Sequence, residues 1–163
     1  MRKQRRKGRR IAGIAAVLLC AFLAGCGAEA APDYTKQGME AVAALDYEKA
    51  LTLFQTAEEN GEETRLLYRG MGLAYLGKTD YEAAITYLEA ALRLGSGRVE
   101  NLDFDINYYL ATAYYKNGRM QDAVKVYDAI LGLRPEETNA YYLRGCVKLA
   151  EGNSEAAQAD FEG

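Results

Sequence analysis

The chain contains no histidine and no tryptophan in 163 residues, and only three cysteines. Without histidine there is no ordinary general base, no imidazole ligand for zinc, and no Ser-His or Cys-His nucleophile. The cysteines do not compensate: Cys20 lies within an apolar run, Cys26 follows it, and Cys146 stands far away in a helical pattern, a spacing that suggests neither a metal site nor a disulfide framework. Positive charge is scarce beyond the first residues. Residues 1–25 hold 7 of the 20 Lys and Arg and none of the 23 Asp and Glu, which leaves thirteen bases against twenty-three acids in the rest, a formal −10. A body that acidic has no electrostatic reason to seek phosphate backbones, so nucleic-acid binding is not expected. The length suits one domain and is short for two.

The basic opening, Met1 to Arg10, gives way to an apolar run from Ile11 to Leu23. That order is a charged n-region followed by an h-region. The run falls short of the roughly 20 residues of a bilayer-spanning helix, which favours a cleaved signal. The sequence Leu23-Ala24-Gly25-Cys26 then resembles a bacterial lipobox. That resemblance implies a signal peptide over 1–25, diacylglyceryl transfer to the Cys26 thiol and cleavage just before it. A lipid anchor of this kind would hold the protein at the extracytoplasmic face of a bacterial cell membrane. Residues 26–33 read as lipidated cysteine and short tether, reaching about 25 Å at most, with the domain proper over 34–163.

The remainder repeats itself. A shift of 34 residues brings Gly38 onto Gly72, Asp46-Tyr47-Glu48 onto Asp80-Tyr81-Glu82, Ala50 onto Ala84, Phe54 onto Leu88 and Ala57 onto Ala91. Small residues at Gly72, Ala84 and Ala91 let helix backbones approach, and Tyr68, Met71, Tyr75, Ile85, Leu88 and Leu92 fill the space between. Gly77 is expected to end one helix and Asp80 to cap the next. From Ala84 to Ala123 the period stretches to 39, which places an insertion in Gly95 to Asn101, read as a lengthened turn. A third copy carries Leu110, Ala111, Tyr114, Gly118, Ala123, Tyr127 and Ile130, with Asn107 where an aromatic is usual. A fourth carries Tyr141, Gly145, Gly152, Ala157 and Phe161, and Arg144 and Lys148 break its apolar pattern.

The spacing Tyr68-x2-Met71-Gly72-x2-Tyr75, then Ala84-x3-Leu88-x2-Ala91, resembles the tetratricopeptide repeat, with an aromatic in place of the usual Trp. The resemblance implies an all-α fold, a solenoid of helical hairpins with about three and a half repeats, over approximately 31–60, 64–94, 103–135 and 138–163. The sequence stops part-way through the expected eighth helix, and truncation or fraying is the expectation there.

The same resemblance implies a non-enzymatic scaffold that binds a protein or peptide partner and needs no cofactor or metal. Together with the lipobox it implies a role at the membrane, in cell-envelope assembly. In arrays of this family the first helices line a concave groove. Here that places Thr35, Met39 and Val42, then Arg69, Leu73 and Leu76, then Tyr108, Thr112 and Tyr115, then Tyr142, Cys146 and Leu149 along it. An apolar or aromatic peptide is expected across Tyr108, Tyr115 and Tyr142, with Arg69 meeting an acidic group; the competing reading is that these tyrosines cover neighbouring helices. The paired Lys and Asn of chaperone-binding members are missing, so a C-terminal carboxylate is not the expected ligand. The alternative function is a self-associating structural protein that stacks through its open C-terminal repeat. For an enzyme, the best carboxylate pair is Asp103 and Asp105, whose place at a helix start reads as capping, and Cys146 reads as a structural thiol.

Overall fold

Each copy of the repeat folds as a helical hairpin, and the reason begins at the turn inside it. The computed structural model describes residues 32–162, which form eight helices and, among the described residues, no strand. These are α1 (Tyr34–Ala43), α2 (Tyr47–Glu59), α3 (Arg65–Gly77), α4 (Tyr81–Arg93), α5 (Asn101–Lys116), α6 (Met120–Leu133), α7 (Thr138–Ala150) and α8 (Ser154–Glu162). The four hairpin turns are built alike. Leu45, Thr79, Gly118 and Gly152 hold the left-handed conformation, with φ of 61°, 62°, 79° and 83°. The N–H that follows each, on Asp46, Asp80, Arg119 or Asn153, donates back to the carbonyl of Ala41, Tyr75, Tyr114 or Lys148 at 2.8–3.0 Å. This is the Schellman closure, which satisfies the last carbonyls of the first helix.

Residues at the turn exit then start the second helix. The Asp80 carboxylate accepts from the Ala83 N–H at 3.1 Å, Asp46 does the same for Lys49, and Asn153 for Ala156. The capping expected of Asp80 is present, but Gly77 has another task. Helix α3 does end at Gly77, as expected, but the left-handed residue that closes the turn is Thr79. A side chain at Gly77 would drive into the Tyr47 ring, so its role is to let that ring lie against α3.

Inside the hairpins, glycine permits close approach at the places the period marked. A Cβ on Gly72 would stand 2.6 Å from Leu88 Cγ, one on Gly145 would stand 2.5 Å from Phe161, and Gly38 lies against the Phe54 ring, which Gly70 of the following hairpin also meets, from outside. The hairpins then bury a continuous core, in one cluster joining the first and second repeats and another joining the second to the fourth. Tyr68 and Tyr75 pack against both clusters, and Tyr75 stacks on Tyr87 with ring centroids 5.3 Å apart. Helix α3 contacts both α1 and α5, so the first helices of the first three hairpins lie side by side.

The inserted connector between α4 and α5 is fastened by Arg65. Its guanidinium donates to the Ala91 carbonyl at 3.3 Å, to Glu100 at 3.2 Å and to Asp103. The Asp103 carboxylate also accepts the Glu100 N–H at 2.7 Å, which starts α5 at Asn101. In the fourth repeat Arg144 and Lys148 meet a buried partner. Asp160, 5% exposed, binds Arg144 at 2.5 Å and Lys148 at 2.9 Å, and Arg144 reaches across to Asp128 of α6. No helix among the described residues is long and apolar enough to cross a membrane.

Candidate functional site

The side-by-side packing of α1, α3 and α5 leaves a groove of about 430 Å³ at the hairpin-turn edge of these helices. Its apolar lining comes from Val42 of α1, Leu45 of the first turn, and Leu73 and Leu76 of α3. Three aromatic rings, Tyr47, Tyr81 and Tyr109, complete the walls, with Thr112 and Lys116 of α5 at the polar side. A volume of this order with a largely apolar lining and few polar groups is characteristic of binding clefts. Thr112 already donates its hydroxyl proton to the Tyr108 carbonyl at 2.9 Å. Lys116 has no carboxylate within 4 Å among the described residues, and its ammonium lies 5.6 Å from the Tyr115 ring centroid.

The structure gathers only part of the residues expected to line the groove. Leu73, Leu76 and Thr112 meet there, joined by Val42. Arg69 is held aside: its guanidinium pairs with Asp105 and lies 5.5 Å from the Tyr109 ring centroid, so it already has an acidic partner within the fold. Tyr108 turns toward α6, with its ring 6.2 Å from that of Tyr127. Its hydroxyl is buried with no acceptor in hydrogen-bonding geometry, and burial, with the Glu137 carboxylate nearby, pushes its pKa up to about 12. Tyr115 is half-buried against the main core cluster. Tyr142 is 59% exposed and packs on Phe161 at 5.8 Å, at the far end of the array.

Tyr47, Tyr81 and Tyr109 were missed by sequence reasoning that followed the first helices alone. Tyr47 and Tyr81 open the second helices and lean into the groove at the turns. The signal lay in the repeated Asp-Tyr-Glu, whose tyrosine recurs where only the aspartate is needed as a cap.

Titratable groups elsewhere serve packing. The Tyr114 hydroxyl donates to Glu89 at 2.6 Å, and burial with that bond pushes its pKa up to about 12. Asp103 and Asp105 are each engaged by an arginine, Arg65 and Arg69. Cys146 is a half-buried free thiol. Among the described residues no group of three or more His, Cys, Asp and Glu side chains is placed to hold a metal ion.

Stacked helical hairpins with a cleft along their first helices define a helical-repeat solenoid, a class of protein that works through its surface. Comparison with known sequences specifies which. A tetratricopeptide repeat profile matches residues 35–98 and 69–138, and a second tetratricopeptide repeat profile matches 138–163. The chain belongs to the tetratricopeptide repeat family. Over 77 residues it is 32% identical to Superkiller protein 3 of Saccharomyces cerevisiae, a match that covers 47% of this chain and 5% of that protein, so the chain spans a small fraction of the curated relative's length. Among solved structures it is similar to MamA MSR-1 C2, with a TM-score of 0.67, 19% identity, and 79% and 71% of the two chains covered. It is also similar to MamA AMB-1 C2221, with a TM-score of 0.53, 18% identity, and 79% and 93% covered. These structures share the fold. The repeats support a protein-interaction scaffold, and tetratricopeptide repeat proteins are in general non-enzymatic.

Proposed function

We propose that the chain is a lipid-anchored scaffold at the extracytoplasmic face of a bacterial membrane, which holds a protein partner in the groove between α1, α3 and α5. The observation that carries the binding half is the groove itself, where Leu73, Leu76, Tyr47, Tyr81 and Tyr109 offer apolar and aromatic contact around an open cleft. Rigid aromatic side chains lose little conformational entropy on binding and make effective anchors. The anchoring half rests on Leu23-Ala24-Gly25-Cys26, which lie outside the described residues. On this reading the chain's place at the membrane surface puts it in cell-envelope assembly.

Both halves have direct tests. A photo-cross-linker at position 112 in cells should give adducts with a partner, while one at position 125 on α6 should give none; equal labelling at the two sites would remove the groove from the account. Cys26→Ala should leave the membrane fraction, whereas a Cys26→Ala protein that stays there with its leader intact would be held by an ordinary apolar anchor. Persistence of the Cys26→Ala protein in membranes would count against the lipid anchor.

A further inference from the structure

We infer that the partner segment held in this groove carries a carboxylate side chain next to a bulky apolar one, and that Lys116 receives the carboxylate. The inference rests on the groove being the docking site proposed above, and it concerns the chemistry of the occupant. Among the residues that line the groove none is acidic and Lys116 is the lone cation. The cations beside it are engaged: Arg69 by Asp105 and the Tyr109 ring, and Lys78, next to the lining residue Gly77, by Glu48. Lys116 is exposed, with no carboxylate within 4 Å among the described residues. It is therefore a charged donor at the rim of an apolar cleft with its strongest hydrogen-bonding capacity unused.

The charge of the whole body sharpens this preference into a register. Residues 26–163 carry thirteen bases against twenty-three acids. A carboxylate on an approaching segment is repelled over most of that surface and attracted at Lys116, so the ion pair fixes where along the groove the segment sits. A large apolar side chain adjacent to the carboxylate then falls over Leu73 and Tyr109. A basic segment gains nothing there, because its cation would face Lys116 across a cleft without an acid to receive it.

The test uses the purified full chain and a displayed library of random linear peptides, each followed by a neutral carrier so that no free C-terminal carboxylate is offered. The expected result is enrichment of peptides that pair Asp or Glu with an adjacent Phe, Tyr, Trp or Leu. Their affinity should fall tenfold or more in Lys116→Glu, stay within twofold in the exposed control Lys125→Glu, and weaken several-fold as salt is raised. Leu73→Gln and Tyr109→Ala, each confirmed to melt as the parent does, report on the groove separately. If selected peptides respond to Leu73→Gln or Tyr109→Ala but not to Lys116→Glu, the groove stands and the carboxylate inference falls. If they respond to none of these, both fall. Enrichment of basic or uncharged peptides, or no enrichment at all, also overturns the inference.

Discussion

At the scale of single residues, the packing is governed by a few positions where one atom decides. Gly72 is such a position: a methyl there would stand 2.6 Å from Leu88 Cγ, at a place where Leu88 is wholly buried and cannot step aside. Gly72→Ala should therefore destabilise by about 1–3 kcal/mol, and Gly72→Leu by more, read as a fall in the thermal midpoint. Gly132, also in a helix, has nothing within 4 Å of the added carbon. Gly132→Ala should have the opposite sign, a gain of about 0.5 kcal/mol from helix propensity. A loss at both positions, or at neither, would undo the assignment of Gly72 to a close helix contact. The position of Gly72 was legible because the period of 34 repeated it; Asp160 was not legible. Arg144 and Lys148 read as breaks in an apolar pattern, since sequence spacing cannot show that a carboxylate sixteen residues away from Arg144 folds between them. Burial alone would raise the Asp160 pKa, but Arg144 and then Lys148 outweigh it and hold the carboxyl below its ordinary value of 3.8. A lowered folded-state pKa means that the unfolded chain takes up this proton first, so the contribution is complete above the ordinary value and lost as pH falls through the folded one. Asp160→Asn should cost about 2 kcal/mol at neutral pH, because it leaves the partly buried Lys148 unpaired and Arg144 with only the more exposed Asp128. The difference between variant and parent should shrink below about pH 4; a difference that is constant with pH would mean that packing, not charge, is what the substitution removed.

At the scale of elements, the hairpin turns show one backbone design filled by different residues. The left-handed position is glycine in the third and fourth hairpins, at Gly118 and Gly152, and leucine or threonine in the first and second. A β-branched side chain at positive φ crowds its own backbone, at a cost of about 1–2 kcal/mol relative to glycine in that conformation. Thr79→Gly should then stabilise by about 0.5 to 1 kcal/mol once the added freedom of the unfolded chain is counted against it. Urea denaturation would check this, and a loss of stability would show that Thr79 earns its place by a contact that the turn geometry does not reveal. The sequence made the hairpins legible through Gly72, Ala84 and Ala91 and the Asp80 cap, yet it misled on the left-handed residue that closes the turn, since Gly77 was the obvious glycine. Glycine has two uses at helix ends, backbone freedom and absence of a side chain. Only the structure shows that Gly77 serves the second, beneath Tyr47. The connector between α4 and α5 was legible as an insertion but not as a fastened one, because Arg65 reaches it from 35 residues away at Glu100.

At the scale of the whole molecule, the outer faces of the first and fourth described hairpins differ in what they can accept. Every internal junction uses the same three places on the incoming first helix. They are Leu67, Gly70 and Ala74 on α3, answered by the buried Ile106 and Ala113 on α5 and the buried Ala140 and Val147 on α7. Gly70 shows what they touch, since a side chain there would meet Phe54 and Met39 of the preceding hairpin. One period earlier the same places hold Asp33, which caps α1 by accepting the Lys36 N–H, and Lys36 and Glu40 of α1, all exposed. Stacking this face on apolar surface would bury three charges, one of them a cation flanked by two acids whose pairing would have to offset the loss of water. The fourth hairpin offers apolar surface, with Tyr142, Leu149 and Phe161 each 45–59% exposed. The outer face of α1 and the apolar surface of the fourth hairpin therefore do not match, and stacking of one on the other between identical copies is disfavoured. Sedimentation velocity should show no growing series of oligomers as concentration rises. The variant Asp33→Leu, Lys36→Ala, Glu40→Ala restores the apolar stripe of the internal junctions and should associate with concentration, and adding Phe161→Asp to it should abolish that association. If the parent chain already forms an open-ended series, the three charges are not the barrier, and the match between copies must come from contacts other than those that join the repeats.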